Sequence, residues 1–188
     1  DEQKVPPGSH CETFVALRTE VQNWRWAGVP FYLRTGKRLA ARDAQIVVNF
    51  RPVPHPIFPG AHRANQLVIK LQPEDGLELR LLAAKGSGVG ESLAPVSLDL
   101  DFDRAFPSER VGAYERLLLD AIAGRLNLFV RSDEQEQAWR WVEPILDAWS
   151  REREQHGEGP RGYAAGTWGP AAASALVARD GNAWSEEQ

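Results

Sequence analysis

Apolar and polar residues alternate most cleanly between positions 66 and 82. Leu67, Ile69 and Leu71 share one face of a strand from Gln66 to Gln72. Pro73-Glu74-Asp75-Gly76 then supplies a turn, because proline presets φ and glycine permits φ > 0. Leu77, Leu79 and Leu81 alternate with Glu78, Arg80 and Leu82, so the two runs predict a hairpin. Val96, Leu98, Leu100 and Phe102 alternate with Ser97, Asp99, Asp101 and Asp103, which predicts a further half-buried strand. Upstream, Thr13 to Val21 and Pro30 to Arg34 read as strands, the second ending at Thr35-Gly36. Between them Asn23 to Gly28 predicts a short helical turn. Gln45 to Phe50 is strand-like and bounded by Pro52, Pro54, Pro56 and Pro59. About six strands with one covered face predict a large, mostly antiparallel sheet.

The period changes after residue 112. Tyr114, Leu117, Leu118, Ala121 and Ile122 form a helical stripe within Ala113 to Ala123, stopped at Gly124. Ser132 with Gln135 predicts a capping box for the next helix. That helix places Ala138, Val142, Ile145 and Trp149 in one stripe, with Trp141 beside it, and Pro144 predicts a kink or local opening. Glu152 to Pro160 reads as a charged linker. Pro170 and Gly181 bracket a short third helix. Strands first and helices after predict an α+β fold with helices packed on one face of the sheet. The whole chain, 1–188, reads as one domain, with 156–188 as a tail extension and residues 1–10 as an extended lead-in.

Composition narrows the function classes. The chain has 188 residues, 43% of them hydrophobic and 26% charged, which suits a globular domain. With 22 basic against 26 acidic residues the net charge is −4, which argues against broad attraction to nucleic acid or an anionic membrane. No apolar run approaches the roughly 18–20 residues of a membrane span. One cysteine, Cys11, excludes an internal disulfide framework and a cysteine-rich metal site. The expected compartment is the cytoplasm. The sequence opens at Asp1 and holds no methionine, which suggests a piece of a longer protein.

Candidate chemistry is sparse. His10, His55, His62 and His156 are scattered on expected loops. Ser9-His10-Cys11 are adjacent in an extended lead-in, where neighbours point apart, so they read as a surface loop rather than a relay. Gly86-Ser87-Gly88-Val89-Gly90 is G-x-G-x-G with no helix after it, and reads as a connector. Asp99, Asp101 and Asp103 share a strand face but lack further oxygen donors, and read as a solvated face. Trp24 and Trp26 flank Arg25, and Trp139 and Trp141 flank Arg140. In an acidic chain these predict core packing and cation–π contacts rather than base stacking. The segment from Arg34 to Arg42 carries four cations, Arg34, Lys37, Arg38 and Arg42, at a strand end. It reads either as a solvated basic loop or as a phosphate site in which Lys37 is the point charge and Arg42 the fork.

Six segments carry a family resemblance. Asn23-Trp24-Arg25-Trp26-Ala27-Gly28-Val29-Pro30-Phe31-Tyr32-Leu33-Arg34-Thr35-Gly36-Lys37-Arg38-Leu39, preceded by Glu12 to Leu17, resembles the start of the C-terminal domain of glucose-6-phosphate dehydrogenases. Ala113 to Asp120, Phe129 to Glu134 and Ala138-Trp139-Arg140 resemble later motifs of that domain. Tyr163-Ala164-Ala165-Gly166-Thr167-Trp168-Gly169-Pro170 resembles the ending of bacterial members.

The resemblance implies an α+β substrate-binding and dimerisation domain of an enzyme that oxidises glucose 6-phosphate to 6-phosphogluconolactone in the pentose phosphate pathway. Hydride would pass to NADP⁺. The family's catalytic histidine and cofactor site belong to an N-terminal Rossmann domain, of which this sequence carries no fingerprint, so the chain alone is expected to be inactive. The resemblance assigns no catalytic, NADP-binding or metal-binding residue here. It places the family's two substrate-binding cations on Lys37 and Arg42, and a further sugar-phosphate contact of some members on Gln72. Arg34 and Lys70 match part of the structural NADP⁺ site of animal members, whereas Asp43, Val47 and Gly112 do not. It also implies a homodimer or a dimer of dimers through the sheet. The rival reading is a non-catalytic dimerisation or regulatory module, against which the pair Lys37 and Arg42 argues.

Overall fold

The computed structural model describes residue 6 and residues 9–58, 64–85, 92–107, 111–157 and 159–187. The strands are β1 (Phe14–Glu20), β2 (Pro30–Gly36), β3 (Ala44–Asn49), β4 (Gln66–Gln72), β5 (Gly76–Lys85) and β6 (Ser92–Asp101). The helices are α1 (Phe102–Ala105), α2 (Ala113–Ile122), α3 (Ser132–His156) and α4 (Ala171–Ala178), with a 3₁₀ turn at Ser185–Glu187. Antiparallel strands followed by helices make this an α+β fold, as the periodicity predicts. The chain divides into two compact units, residues 1–40 with 112–188, and residues 41–111.

In the first unit β1 and β2 pair from Phe14↔Gly36 to Glu20↔Pro30. The expected turn between them forms, with Asn23 Oδ1 accepting the Trp26 N–H at 2.9 Å. Its tryptophans do not enter a core: Trp24 is 89% exposed and Trp26 meets Phe31 edge-on at 5.4 Å. Trp139 and Trp141, on α3, are also exposed. α4 packs on β1 and buries Ala173 and Val177.

The helices differ from expectation at three points. Tyr114, Leu118 and Ile122 of α2 are exposed, and its buried residue is Asp120, held by Arg125 Nε at 2.9 Å and Arg116 Nε at 3.4 Å. The cap of α3 is Arg131, one residue before Ser132, and the Arg131 N–H is accepted by Glu134 rather than Gln135 at 2.9 Å. α3 then runs unbroken past Pro144 into the expected linker. It ends at Gly157, whose φ of 68° suits glycine and whose N–H reaches the Arg153 carbonyl at 2.8 Å.

The second unit is one four-stranded sheet in the order β3-β4-β5-β6, antiparallel throughout. The register aligns Ile46, Ile69, Leu77 and Leu100 in one row, and Val48, Leu67, Leu79 and Leu98 in the next. The opposite face carries Glu78, Arg80, Lys70 and Asp99, with Val68 fully buried among them. Gly76 begins β5 without a left-handed φ. It is required for closeness instead, since a Cβ there would lie 2.7 Å from the Leu100 carbonyl oxygen. The strand expected through Asp103 stops at Asp101, whose carboxylate accepts the Arg104 N–H at 3.0 Å and starts α1. Asp103 therefore leaves the strand face, and the three aspartates no longer form one row.

Six strands were expected in one sheet, and they fall in two. The chain after β2 hydrogen-bonds to the C-terminal segment instead of running on into a neighbouring strand: Leu39 bridges Thr167 in parallel. The glycine segment 86–90 lies outside the described residues.

Candidate functional site

Lys37 follows the last residue of β2 and is exposed. Its N–H donates to the Thr13 carbonyl at 2.8 Å, and its own carbonyl accepts the Tyr163 hydroxyl at 2.6 Å. The next residues are fastened too: Gly166 N–H donates to the Arg38 carbonyl at 2.9 Å, and Ala40 N–H to the Thr167 carbonyl at 3.0 Å. Arg38 has φ 51°, a left-handed conformation uncommon outside glycine. Arg42 is exposed two residues before β3 and belongs to the second unit. Gln72, also exposed, ends β4.

Arg34 points to a different use from the one its animal counterpart suggests. Its guanidinium lies 4.3 Å from the Trp184 ring centroid and 5.2 Å from that of Trp168, and pairs with Glu186. Only 11% of its side chain is exposed. Three side chains of the C-terminal segment thus occupy this arginine. Lys70 is likewise engaged, at 3.4 Å from Glu78 and 3.5 Å from Asp99.

Beside Arg34, a charged cluster ties β1 and β2 to the end of α4. Asp180 accepts from the Tyr32 hydroxyl and from Arg18 Nε, the latter at 2.8 Å. These two donors, Tyr32 first, hold the Asp180 carboxyl below its usual range. Burial, and then the bond to Asp180, push the Tyr32 phenol above its usual value. Asp180 and Glu20 hold the Arg18 guanidinium firmly protonated. On the second unit, Arg80 clasps Glu78 at 2.7 and 3.2 Å and lowers its carboxyl.

Sequence reasoning placed Lys37 correctly at a strand end but did not find Tyr163 beside it, Trp168, Trp184 and Glu186 around Arg34, or Asp180 at Arg18 and Tyr32. The run of aromatic and glycine residues from Tyr163 to Gly169 was the available signal. Ser9, His10 and Cys11 lie in irregular chain, with the Cys11 N–H donating to Ser9 Oγ at 3.4 Å and Cys11 exposed.

A two-stranded antiparallel hairpin strapped by a C-terminal tail, a four-stranded antiparallel sheet and a basic loop held by the strap define an α+β domain. Residues 1–185 match the family model described as "Glucose-6-phosphate dehydrogenase, C-terminal domain", and the chain belongs to that family. It is 50% identical over 181 residues to glucose-6-phosphate 1-dehydrogenase of Rhizobium meliloti, covering 95% of this chain and 36% of that protein. The enzyme of Mycolicibacterium smegmatis is also 50% identical, over 186 residues, covering 97% of this chain and 37% of its own length. The crystal structure of glucose-6-phosphate 1-dehydrogenase from Mycobacterium avium superimposes with a TM-score of 0.77 at 38% identity, over 97% of this chain and 37% of that one. A glucose-6-phosphate dehydrogenase in complex with its substrate glucose 6-phosphate superimposes with a TM-score of 0.81 at 31% identity, with the same coverage. The chain thus spans little more than a third of these relatives.

Proposed function

We propose that this chain is the substrate-binding and dimerisation domain of a cytoplasmic glucose-6-phosphate dehydrogenase. The full enzyme would oxidise the C1 hydroxyl of glucose 6-phosphate, giving 6-phosphogluconolactone and passing hydride to NADP⁺. The observation that carries this reading is the family match along residues 1–185, within which Lys37 sits on an anchored loop with an exposed side chain. Lys37 contributes a compact charge and Arg42 a planar fork to the substrate's phosphate dianion. The hydride acceptor and the general base are supplied by the partner domain of the full-length enzyme. The open aliphatic rows of β3 to β6 form the contact with a second copy, as exposed apolar patches of this size mark interfaces.

The test is kinetic and uses the full-length enzyme. Charge-assisted hydrogen bonds are worth about 1.5–3 kcal/mol each, so Lys37→Ala should lower kcat/KM for glucose 6-phosphate by roughly ten- to a hundredfold. Arg42→Ala should do the same, and Arg42→Lys less, with the KM for NADP⁺ unchanged in all three. Wild-type kinetics in both alanine variants would make the basic segment a solvated loop and leave the non-catalytic dimerisation module as the better reading.

A further inference from the structure

We propose that Tyr163 is a positioning residue for Lys37, holding the peptide from which the ammonium group reaches the substrate phosphate; this rests on the phosphate role given to Lys37 above. The Tyr163 hydroxyl donates to the Lys37 carbonyl at 2.6 Å and lies 3.1 Å from the Thr13 carbonyl. Thr13 also accepts the Lys37 N–H at 2.8 Å. Both polar groups of the Lys37 backbone are therefore tied to the same point on the edge of β1, one directly and one through the phenol. The phenol has one hydrogen, so the short arm to Lys37 is the principal bond and the Thr13 contact completes a three-centre arrangement.

The phenol is itself aimed by packing. Its ring rests on Phe14 with centroids 5.4 Å apart and planes inclined at 59°. The bonds from Gly166 to Arg38 and from Ala40 to Thr167 extend the same clamp along the loop, keeping Arg38 in its left-handed conformation. Tyr163 lies 126 residues from Lys37 in sequence, so the contact exists only because the C-terminal segment folds back over β1 and β2. A lysine ammonium is a point charge on a flexible four-carbon stem. Its reach is directed by where its Cα is held, and small displacements of a positioning group cost binding and rate. What the clamp leaves free at Lys37 is the side chain alone.

Tyr163→Phe in the full-length enzyme tests this, since it keeps the ring against Phe14 and removes the hydroxyl. The expected result is a rise in KM for glucose 6-phosphate of about three- to tenfold, the size of one net hydrogen bond, with kcat and the KM for NADP⁺ unchanged. Oxidation of glucose, which lacks the phosphate, should be as fast as in the wild type. In a Lys37→Ala background Tyr163→Phe should add nothing further. The proposal is overturned if Tyr163→Phe keeps the wild-type KM while Lys37→Ala does not. It is equally overturned if glucose and glucose 6-phosphate turnover fall together, or if the two substitutions multiply. Wild-type kinetics in Lys37→Ala would instead remove the phosphate role of Lys37 itself.

Discussion

The β1–β2 hairpin and the four-stranded sheet are built from similar alternating strands, yet their apolar sides end differently. Around the hairpin, Phe14 lies against Gly36, Gly169 and Tyr163, α4 covers β1, and Trp168 and Trp184 bracket Arg34. Nearly all of this cover comes from residues 163–186. On the larger sheet, Ile46 and Leu98, on the two edge strands, stay 50% and 63% exposed at the ends of aliphatic rows. A two-stranded hairpin is at best marginally stable alone, so it needs the strap. Four strands form three hydrogen-bonded ladders without help, and what they leave unsatisfied, beyond the two edges, is the burial of a face. The same alternating pattern therefore serves an intramolecular core in one unit and an open surface in the other.

The largest effect should come from prising the strap off the hairpin. A Cβ on residue 169 would lie 2.2 Å from the Phe14 ring, and φ there is 107°. Gly169→Ala should therefore cost about 3 kcal/mol or more, lowering the melting temperature by about 6–12 °C. Gly162→Ala, whose Cβ meets open space, should melt as the wild type does. Equal melting of the two variants would mean that the strap does not stabilise the hairpin.

Leu98→Lys addresses the other side of the comparison. The site is 63% exposed, so folding should change by no more than about 0.5 kcal/mol. Self-association measured by sedimentation should weaken at least about tenfold, since a lysine then has to be buried in the contact. A wild-type chain that stays monomeric at micromolar concentration would remove the interface from the larger sheet.

The smallest effect lies in the Asp180 cluster and depends on pH. Asp180 has a lower pKa folded than unfolded, so its contribution is complete above the unfolded value near about 4 and is lost as pH falls toward the folded one. Tyr32 is raised, so its contribution is complete below about 10 and is lost as pH rises through the folded value. Urea melts of Asp180→Asn should fall below the wild type at neutral pH, and the gap should close on acidification. A gap that stays constant down to pH 3 would show that the carboxylate's charge is not what the strap uses.

Some elements were legible from spacing alone. The hairpin of β4 and β5 follows from alternation around Pro73–Gly76, α2 from its helical stripe and Gly124, and α4 from the bracketing Pro170 and Gly181. Other readings failed where two local signals competed. Phe102 continues the alternation of β6, but Asp101 is a better helix cap than a strand residue, and α1 begins there. Glu152 to His156 looks like a charged linker by composition, yet polar residues spaced for i,i+4 contact, such as Glu152 and His156 at 3.8 Å, also suit an exposed last helical turn. The tryptophans beside Arg25 and Arg140 were expected to pack in a core and to make cation–π contacts. Arg25 does lie over Trp24, 5.8 Å from the ring centroid, but the core packing does not form, because composition reports what a side chain prefers and not whether a neighbour is there to meet it.

Lys37 was found from its charge, its glycine neighbour and its strand end, together with the family motif around it. The sequence by itself determined the six strands, the existence of the three longer helices, the α+β order and the position of the basic loop, because each of these depends on residues within a few positions of one another. The tertiary structure alone decided that the strands part into two sheets, that Arg34 is enclosed by Trp168, Trp184 and Glu186, and that Tyr163 reaches Lys37. Those contacts join residues more than a hundred positions apart. They form only when the gain from packing and hydrogen bonding outweighs the entropy of closing so long a loop, and periodicity carries no record of that balance.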